Sequence, residues 1–127
     1  MGLVGLTRVL AVEGAKYNIK ANAIAPVAKT RMTEDILGAA ADKLLPESVT
    51  PVVTYLASEE CDLTGEVYSV GGGRVARVFV GVTPGISDPE LTAETVRDRL
   101  DDIRGTDGYE VPANLNEEMM LALKQLS

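Results

Sequence analysis

The hydrophobic positions of the chain predict helices that alternate with two short strands. Residues Gly2–Gly14 are apolar on almost every side of a helix, and Gly14 ends it. A helix with this pattern is covered by other protein on both faces. Alternate apolar positions in Ile19–Ala25 predict a short buried strand. Pro26 is expected to end its pairing, because proline has no N–H to donate to a neighbouring strand.

The next segments predict a lobe and a helix. Residues 32–45 indicate either a mobile helical lobe or a loosely packed surface helix. Thr33 is expected to cap its first turn, which is rich in acidic side chains. Residues 46–60 predict a helix, because both of their prolines lie near its start, where a missing N–H costs little. Apolar side chains recur along this helix at helical spacing, at Val49, Val52, Val53 and Leu56.

A second strand and an extended segment follow. Glu66–Val70 predicts a strand with Val67 and Val70 inward. Gly71–Gly73 opens no helix, so we expect a strand end where the backbone passes close to another group. Arg74–Val82 predicts an extended arm or a third strand. The two main strands are separated by helices and should be parallel neighbours, which makes the fold class α/β. One edge of the first strand should be unpaired.

The C-terminal part of the chain is predicted to contain helices and no strand. Thr83–Gly85 breaks the chain, and Asp88 with Pro89 predicts the start of a helix that runs to Arg104. Asn114 and Glu117 have the spacing of a capping box, which predicts a last helix. The apolar stripe of that helix is formed by Leu115, Met119, Leu123 and Leu126.

Charge and composition exclude several classes of function. The chain has 127 residues and a net charge of −7, which argues against nucleic acid or an anionic membrane as partner. No stretch has the length needed to span a membrane. The absence of histidine excludes Ser-His and Cys-His catalysis and the usual zinc sites, so we predict no metal site. The single cysteine, Cys61, suits the reducing cytoplasm, and we interpret it as an inert loop thiol.

A polar, basic loop follows Pro26. Its residues are Ala28, Lys29, Thr30 and Arg31. In open parallel sheets, ligands bind just beyond the carboxyl ends of the strands. Backbone N–H groups, a hydroxyl and two cations at such a point can hold a phosphate or an amide. The same residues also suit an ordinary strand exit with solvated charges, and the residues alone leave both interpretations open.

Three segments together resemble the short-chain dehydrogenases/reductases. They are the helix Gly2–Gly14, the run N-A-I-A-P-V-A-K-T-R-M-T at residues 22–33, and the segment L-A-S-E-E-C-D-L-T-G-E-V-Y-S-V-G-G-G at residues 56–73. The chain is most similar to the (3R)-hydroxyacyl-CoA dehydrogenase branch, the one found in multifunctional enzyme type 2. The resemblance implies that residues 1–82 are the C-terminal portion of a Rossmann-like doubly wound sheet. Residues 83–127 would be an acidic helical extension.

The resemblance also implies a chemistry. The parent would transfer a hydride between NAD or NADP and a 3-hydroxyacyl-CoA or a hydroxysteroid, with Ala28–Arg31 contacting the cofactor. Lys29 departs from that branch, which favours glycine there. The sequence lacks the Gly-rich phosphate loop, the catalytic serine and Tyr-x-x-x-Lys, so we expect an N-terminally truncated reductase. The chain by itself should be inactive and should not bind NAD(P) tightly.

The alternative is a non-catalytic pairing subunit. Such a protein would assemble with a complete reductase or with itself, through the first helix and the open sheet edge. Because that helix and that edge both need cover, either interpretation predicts an oligomer.

Overall fold

The computed structural model describes residues 1–126, without the side chains of residues 34, 36, 40 and 126. It divides into two compact units, Met1–Phe79 and a second that starts at Val80. The helices and strands of the first unit are α1 (Gly2–Gly14), β1 (Ala23–Pro26), α2 (Glu34–Leu37), α3 (Thr50–Leu56), β2 (Val67–Gly71) and β3 (Arg74–Val78). Short 3-10 helices occupy Ala15–Tyr17, Gly38–Lys43 and Pro46–Ser48. The second unit contains α4 (Ala93–Asp98), α5 (Leu100–Arg104) and α6 (Leu115–Leu126).

The first unit contains a mixed sheet in the order β1-β2-β3, and the α/β fold class is confirmed. β1 and β2 are parallel, with Ala23 opposite Val67. β3 runs antiparallel to β2, so the predicted extended segment begins as a third strand. Gly72 and Gly73 form the turn between them with φ values of 57° and 80°. Two positive φ angles are what a two-residue type I′ hairpin turn requires.

β1 begins later than the hydrophobic pattern predicts. The residues before Ala23 belong to a separate set of contacts with the loop that precedes β2. Ala21 N–H donates to the Thr64 hydroxyl at 3.0 Å, and Gly65 N–H donates to the Ala21 carbonyl at 2.7 Å. Ile19 is 58% exposed. The predicted strand start at Ile19 is therefore wrong, because loop contacts take the place of strand pairing there.

Asn22 is the centre of this loop contact. Its side-chain amide donates to the Leu63 carbonyl at 2.8 Å, and its Oδ1 accepts from Glu66 N–H at 3.2 Å. Lys20 adds an ion pair to Asp62 at 3.1 Å. These contacts fix the chain entering β1 against the chain entering β2, so they help to set the parallel register.

Pro26 does not end the pairing of β1 with β2, contrary to the prediction. Val27 N–H donates to the Val70 carbonyl at 2.7 Å, one residue beyond the proline. In a parallel ladder, alternate residues direct their N–H groups to the same neighbour. Ala23 and Val27 donate to β2, so the backbone of Ile24 and Pro26 points the opposite way. The donor that proline lacks would therefore have pointed to the open edge of the sheet.

α1 has the predicted bounds, but within the described residues only one of its faces is buried. Thr7, Ala11 and Gly14 are its buried residues, and the Thr7 hydroxyl donates to the Leu3 carbonyl at 2.7 Å. The inward face is thus made of small residues, which permit a close approach; a Cβ on Gly65 would lie 3.3 Å from Ala11. The large apolar side chains are exposed, namely Leu3, Leu6, Val9, Leu10 and Val12.

The core of the first unit centres on β2. Val67 and Val70 are 6% and 1% exposed, which confirms that both are buried. Cys61 is buried as well. The predicted helix over 46–60 is shorter in the structure. A 3-10 turn, Pro46–Ser48, precedes α3, and α3 ends at Leu56. Beyond Leu56 the chain turns toward Cys61. The N–H groups of Ala57 and Ser58 still donate to carbonyls of α3 in this turn.

The second unit starts its first helix later than predicted. Asp88 does not cap a helix; its carboxylate accepts from Glu90 N–H at 2.9 Å in a local turn. Thr92 is the N-cap of α4, and its hydroxyl accepts from Thr95 N–H at 3.1 Å. The predicted helix to Arg104 is also divided, because Arg99 leaves helical geometry between α4 and α5.

α6 begins as the capping-box pattern predicts. Glu117 N–H donates to Asn114 Oδ1 at 3.1 Å, and the Glu117 carboxylate accepts from Ala113 N–H at 2.7 Å. The predicted stripe, however, does not face inward. Leu115, Met119 and Leu123 are all more than half exposed, whereas Leu121 is partly buried; Leu126 lies outside the described side chains. Among residues 1–126, no helix combines the length and apolar character of a membrane span.

Candidate functional site

The predicted loop Ala28–Arg31 lies where β1 and β2 both end. These strands are parallel, so their carboxyl ends meet at one edge of the sheet. Val27 is tied to β2 through its N–H, and Gly71 lies directly against it. A Cβ built on Gly71 would be only 2.4 Å from the Val27 carbonyl oxygen. The close approach predicted for the glycine run is confirmed, and Val27 is the group it approaches.

The backbone donors of the loop are mostly occupied. Lys29 N–H donates to the Leu44 carbonyl at 2.7 Å, and Thr30 N–H donates to the Thr33 hydroxyl at 2.8 Å. Within residues 1–126, the N–H groups of Ala28 and Arg31 have no protein acceptor. Ala28 is half-buried and Arg31 is exposed. An incoming ligand therefore finds two backbone donors here, rather than the full run of amides.

Thr33 performs a different role from the predicted cap. It occupies the N-cap position of α2, but its side chain makes no capping hydrogen bond. Its hydroxyl instead donates to the Ala28 carbonyl at 2.8 Å and lies 3.1 Å from the Thr30 hydroxyl. Sequence reasoning missed this contact because a threonine before an acidic turn matches a cap equally well.

The charges of the loop differ in accessibility. Lys29 is held by an ion pair to Asp42 at 3.2 Å, and its side chain is 34% exposed. Its ammonium group therefore connects the loop to the lobe that follows, in addition to the backbone bond to Leu44. The Arg31 side chain is exposed. A guanidinium in that position is suited to a phosphate oxygen, because it carries a permanent charge and a planar set of donors.

A second feature lies on one face of the sheet. Tyr68 and Arg77 are opposite each other on β2 and β3, and Glu66 joins them. The Tyr68 hydroxyl donates to one Glu66 oxygen, and Arg77 contacts the other at 3.0 Å. Burial of the phenol, with the hydrogen bond to Glu66 and its negative charge, raises the pKa of Tyr68 to about 12. Tyr68 is thus a neutral donor at physiological pH and unsuited to act as a base.

This group borders a shallow apolar groove of about 280 Å³ between α3 and the hairpin. Its wall is formed by Pro51, Val52, Tyr55, Leu56, Leu63, Tyr68 and Val75. The described residues contain no cluster of three or more side chains able to hold a metal ion.

Known proteins share both the sequence and the fold of this chain. A short-chain type dehydrogenase/reductase of Mycobacterium tuberculosis is 62% identical over 79 residues, which are 61% of this chain and 28% of the relative. Peroxisomal multifunctional enzyme A of Dictyostelium discoideum is 34% identical over 94% of this chain and 27% of its own. The chain is homologous to a segment of the short-chain dehydrogenases/reductases. No family model matches it.

Solved structures agree with this homology. The full-length peroxisomal multifunctional enzyme type 2 of Drosophila melanogaster superposes with a TM-score of 0.80 at 28% identity, over 98% of this chain and 23% of that one. A short chain dehydrogenase from Mycobacterium avium superposes with a TM-score of 0.62 at 37% identity, over 84% of this chain and 38% of that one. The chain thus spans between about a quarter and two-fifths of the length of these relatives. Homology relates it to oxidoreductases that use NAD(P).

Proposed function

We propose that Ala28–Arg31 form the nicotinamide side of the cofactor site of a short-chain dehydrogenase. The observation that carries the proposal is the pair of backbone donors left at Ala28 and Arg31, beyond the carboxyl ends of two parallel strands. A nicotinamide carboxamide needs one donor and one acceptor, and Ala28 offers its N–H and a second lone pair on its carbonyl oxygen. When bound, NAD(P) supplies the hydride acceptor or donor of the reaction.

The remaining contacts would be charged. We assign Arg31 to the pyrophosphate, because its exposed guanidinium can reach an anion without first breaking an internal pair. Lys29 is less available, since it is bound to Asp42. The sequence contains no Gly-rich loop and no Tyr-x-x-x-Lys, so we expect residues 1–127 by themselves to bind NAD(H) weakly and to show no turnover.

A chimera tests this proposal. The segment of the Mycobacterium tuberculosis relative that matches this chain is replaced by this chain's own residues, and NADH and NADPH binding are measured by titration calorimetry. We expect a dissociation constant within about tenfold of the unmodified relative, and a weakening of about fivefold or more for Arg31→Ala, which removes a charge-assisted hydrogen bond. Arg8→Ala, on α1, is the matched control. A folded chimera that binds neither cofactor would contradict the proposal.

We further propose that the hydride is exchanged with a 3-hydroxyacyl-CoA, with a hydroxysteroid as the alternative. Similarity to multifunctional enzymes over most of the chain supports the first. Activity of a full-length dehydrogenase that carries this chain, assayed with both substrates and both cofactors, tests it. Exclusive activity on the steroid would reverse the order of the two candidates.

A second candidate function is pairing, and the exposed face of α1 favours it. Leu3 is 74% exposed, and Leu6, Val9 and Val12 are all more than half exposed. Apolar surface of this extent is usually covered by another protein surface. Sedimentation velocity of the chain should therefore show an oligomer that Leu6→Arg dissociates, whereas Thr54→Arg on α3 should leave it intact. A folded monomer would exclude the pairing function.

A further inference from the structure

We propose that Thr33 is a positioning residue for the cofactor loop, an inference that rests on the function proposed above. The Thr33 side chain lies outside the loop itself, one turn further along the chain. Its hydroxyl oxygen is 2.8 Å from Thr30 N, 2.8 Å from the Ala28 carbonyl oxygen and 3.1 Å from the Thr30 hydroxyl. One side chain thus contacts both ends of the peptide segment 28–30.

The direction of each hydrogen bond follows from counting protons. A threonine hydroxyl has one proton to donate and two lone pairs that accept. The Ala28 carbonyl can only accept, so the Thr33 proton is directed there; the Thr30 carbonyl, at 3.4 Å, is a weaker competitor. Thr30 N–H can only donate, and it occupies one lone pair of Thr33. With the Thr33 proton directed at Ala28, the Thr30 hydroxyl can donate to the second lone pair of Thr33.

Two consequences follow for the site. First, Thr33 fixes the orientation of the Ala28 carbonyl. It thereby holds in place the residue whose own N–H is proposed to bind the carboxamide. Second, a Thr30 hydroxyl that donates to Thr33 presents only lone pairs to a ligand. In that orientation it cannot also donate to a phosphate oxygen, whereas the Arg31 guanidinium can.

The test uses the chimera described above and compares variants with and without the hydroxyl. Thr33→Val keeps the shape of the side chain and removes its hydroxyl. Thr33→Ala also removes the hydroxyl, together with the branched methyl group. Thr33→Ser keeps the hydroxyl. Thr54→Val is the matched control, since the Thr54 hydroxyl donates to the Thr50 carbonyl at 3.0 Å on α3. NADH dissociation constants are measured by calorimetry, and amide hydrogen exchange of Thr30 is followed by NMR.

We expect Thr33→Val and Thr33→Ala to raise the NADH dissociation constant about fivefold to tenfold, the effect of one lost hydrogen bond. Thr30 amide exchange should be faster in both. Thr33→Ser and Thr54→Val should stay within about twofold of the unmodified chimera. If one of the two variants without the hydroxyl does not fold, the NADH dissociation constant of the other one tests the inference.

Two other outcomes would overturn the inference in distinguishable ways. If the hydroxyl-free variants bind NADH as well as Thr54→Val does, Thr33 does not position the site, while the cofactor proposal stands. If the folded chimera binds no cofactor with Thr33 intact, the proposed function itself fails and takes this inference with it.

Discussion

Gly71 lies so close to Val27 that a Cβ on the glycine would be 2.4 Å from the Val27 carbonyl oxygen. The neighbouring atom is backbone and belongs to the residue that precedes the loop Ala28–Arg31, so it cannot rotate away as a side chain can. This contact connects the end of β2 to the loop after β1. It makes the space at position 71, rather than its backbone angles, the reason for glycine.

Gly71→Ala is therefore expected to destabilise the chain by roughly 1–3 kcal/mol, the cost of forcing extra volume into a packed site. Gly5→Ala is the matched control, because no atom lies within 4 Å of a Cβ at that position in α1. It should stabilise the helix by up to about 1 kcal/mol, since alanine is the better helix former. Urea denaturation measures both free energies of unfolding. Equal effects would contradict the close contact.

Asn22→Ala should cost about 1–3 kcal/mol, because it leaves the Leu63 carbonyl and Glu66 N–H without their partner. Asn22→Asp keeps the acceptor for Glu66 N–H but places a carboxylate oxygen against the Leu63 carbonyl, so it should not recover the free energy of unfolding of the unmodified chain. Thermal and urea unfolding give the comparison. An alanine variant as stable as the unmodified chain would mean that the loop does not depend on this side chain.

Asn114→Ala should lower the helical content of α6, because the side chain accepts the N–H of Glu117 in the first turn. Loss of such a cap typically costs about 1 kcal/mol. Asn116→Ala, an exposed position in the same helix, should change stability by less than about 0.5 kcal/mol. Circular dichroism during urea titration measures both. Identical behaviour of the two variants would contradict the capping role.

The pKa of Tyr68, about 12, predicts a stability loss in alkali. The value is raised above that of an unfolded tyrosine, about 10. The stabilising effect is therefore complete below about pH 10 and is lost as the pH rises toward 12. Ultraviolet absorbance of tyrosinate should show a late ionisation that Tyr68→Phe removes. Glu66→Gln should shift that step to lower pH, although burial of the ring keeps it above the ordinary value. An ionisation of Tyr68 at its ordinary pKa would contradict the contact with Glu66.

Elements whose signals are local could be predicted from the sequence. α1 has the bounds that its apolar run and Gly14 predict, and Asn114 with Glu117 opens α6. Both depend on residues within a few positions of each other. The parallel pairing of β1 and β2 was also predictable, because helices separate the two strands.

Two of the failures occur where one side chain has two suitable partners. Thr33 and Asp88 both have cap-like surroundings, yet Thr33 bonds to the loop before it and Asp88 forms a turn. In both cases the partner lies within five residues of the side chain, as a helix cap would, so sequence spacing does not decide between the two. The cofactor role of Ala28–Arg31 stays a prediction. Among the described residues, the structure leaves the backbone N–H groups of Ala28 and Arg31 without a protein acceptor.

The missing donor of Pro26 affects how any further strand can add to the sheet. On the open edge of β1, Ile24 offers both an N–H and a carbonyl, whereas Pro26 offers a carbonyl alone. A strand that pairs with this edge as far as Pro26 directs a carbonyl at a residue that cannot donate to it, whatever its register. The proline therefore limits how far a further strand can pair, because pairing beyond Ile24 leaves one carbonyl of that strand unsatisfied.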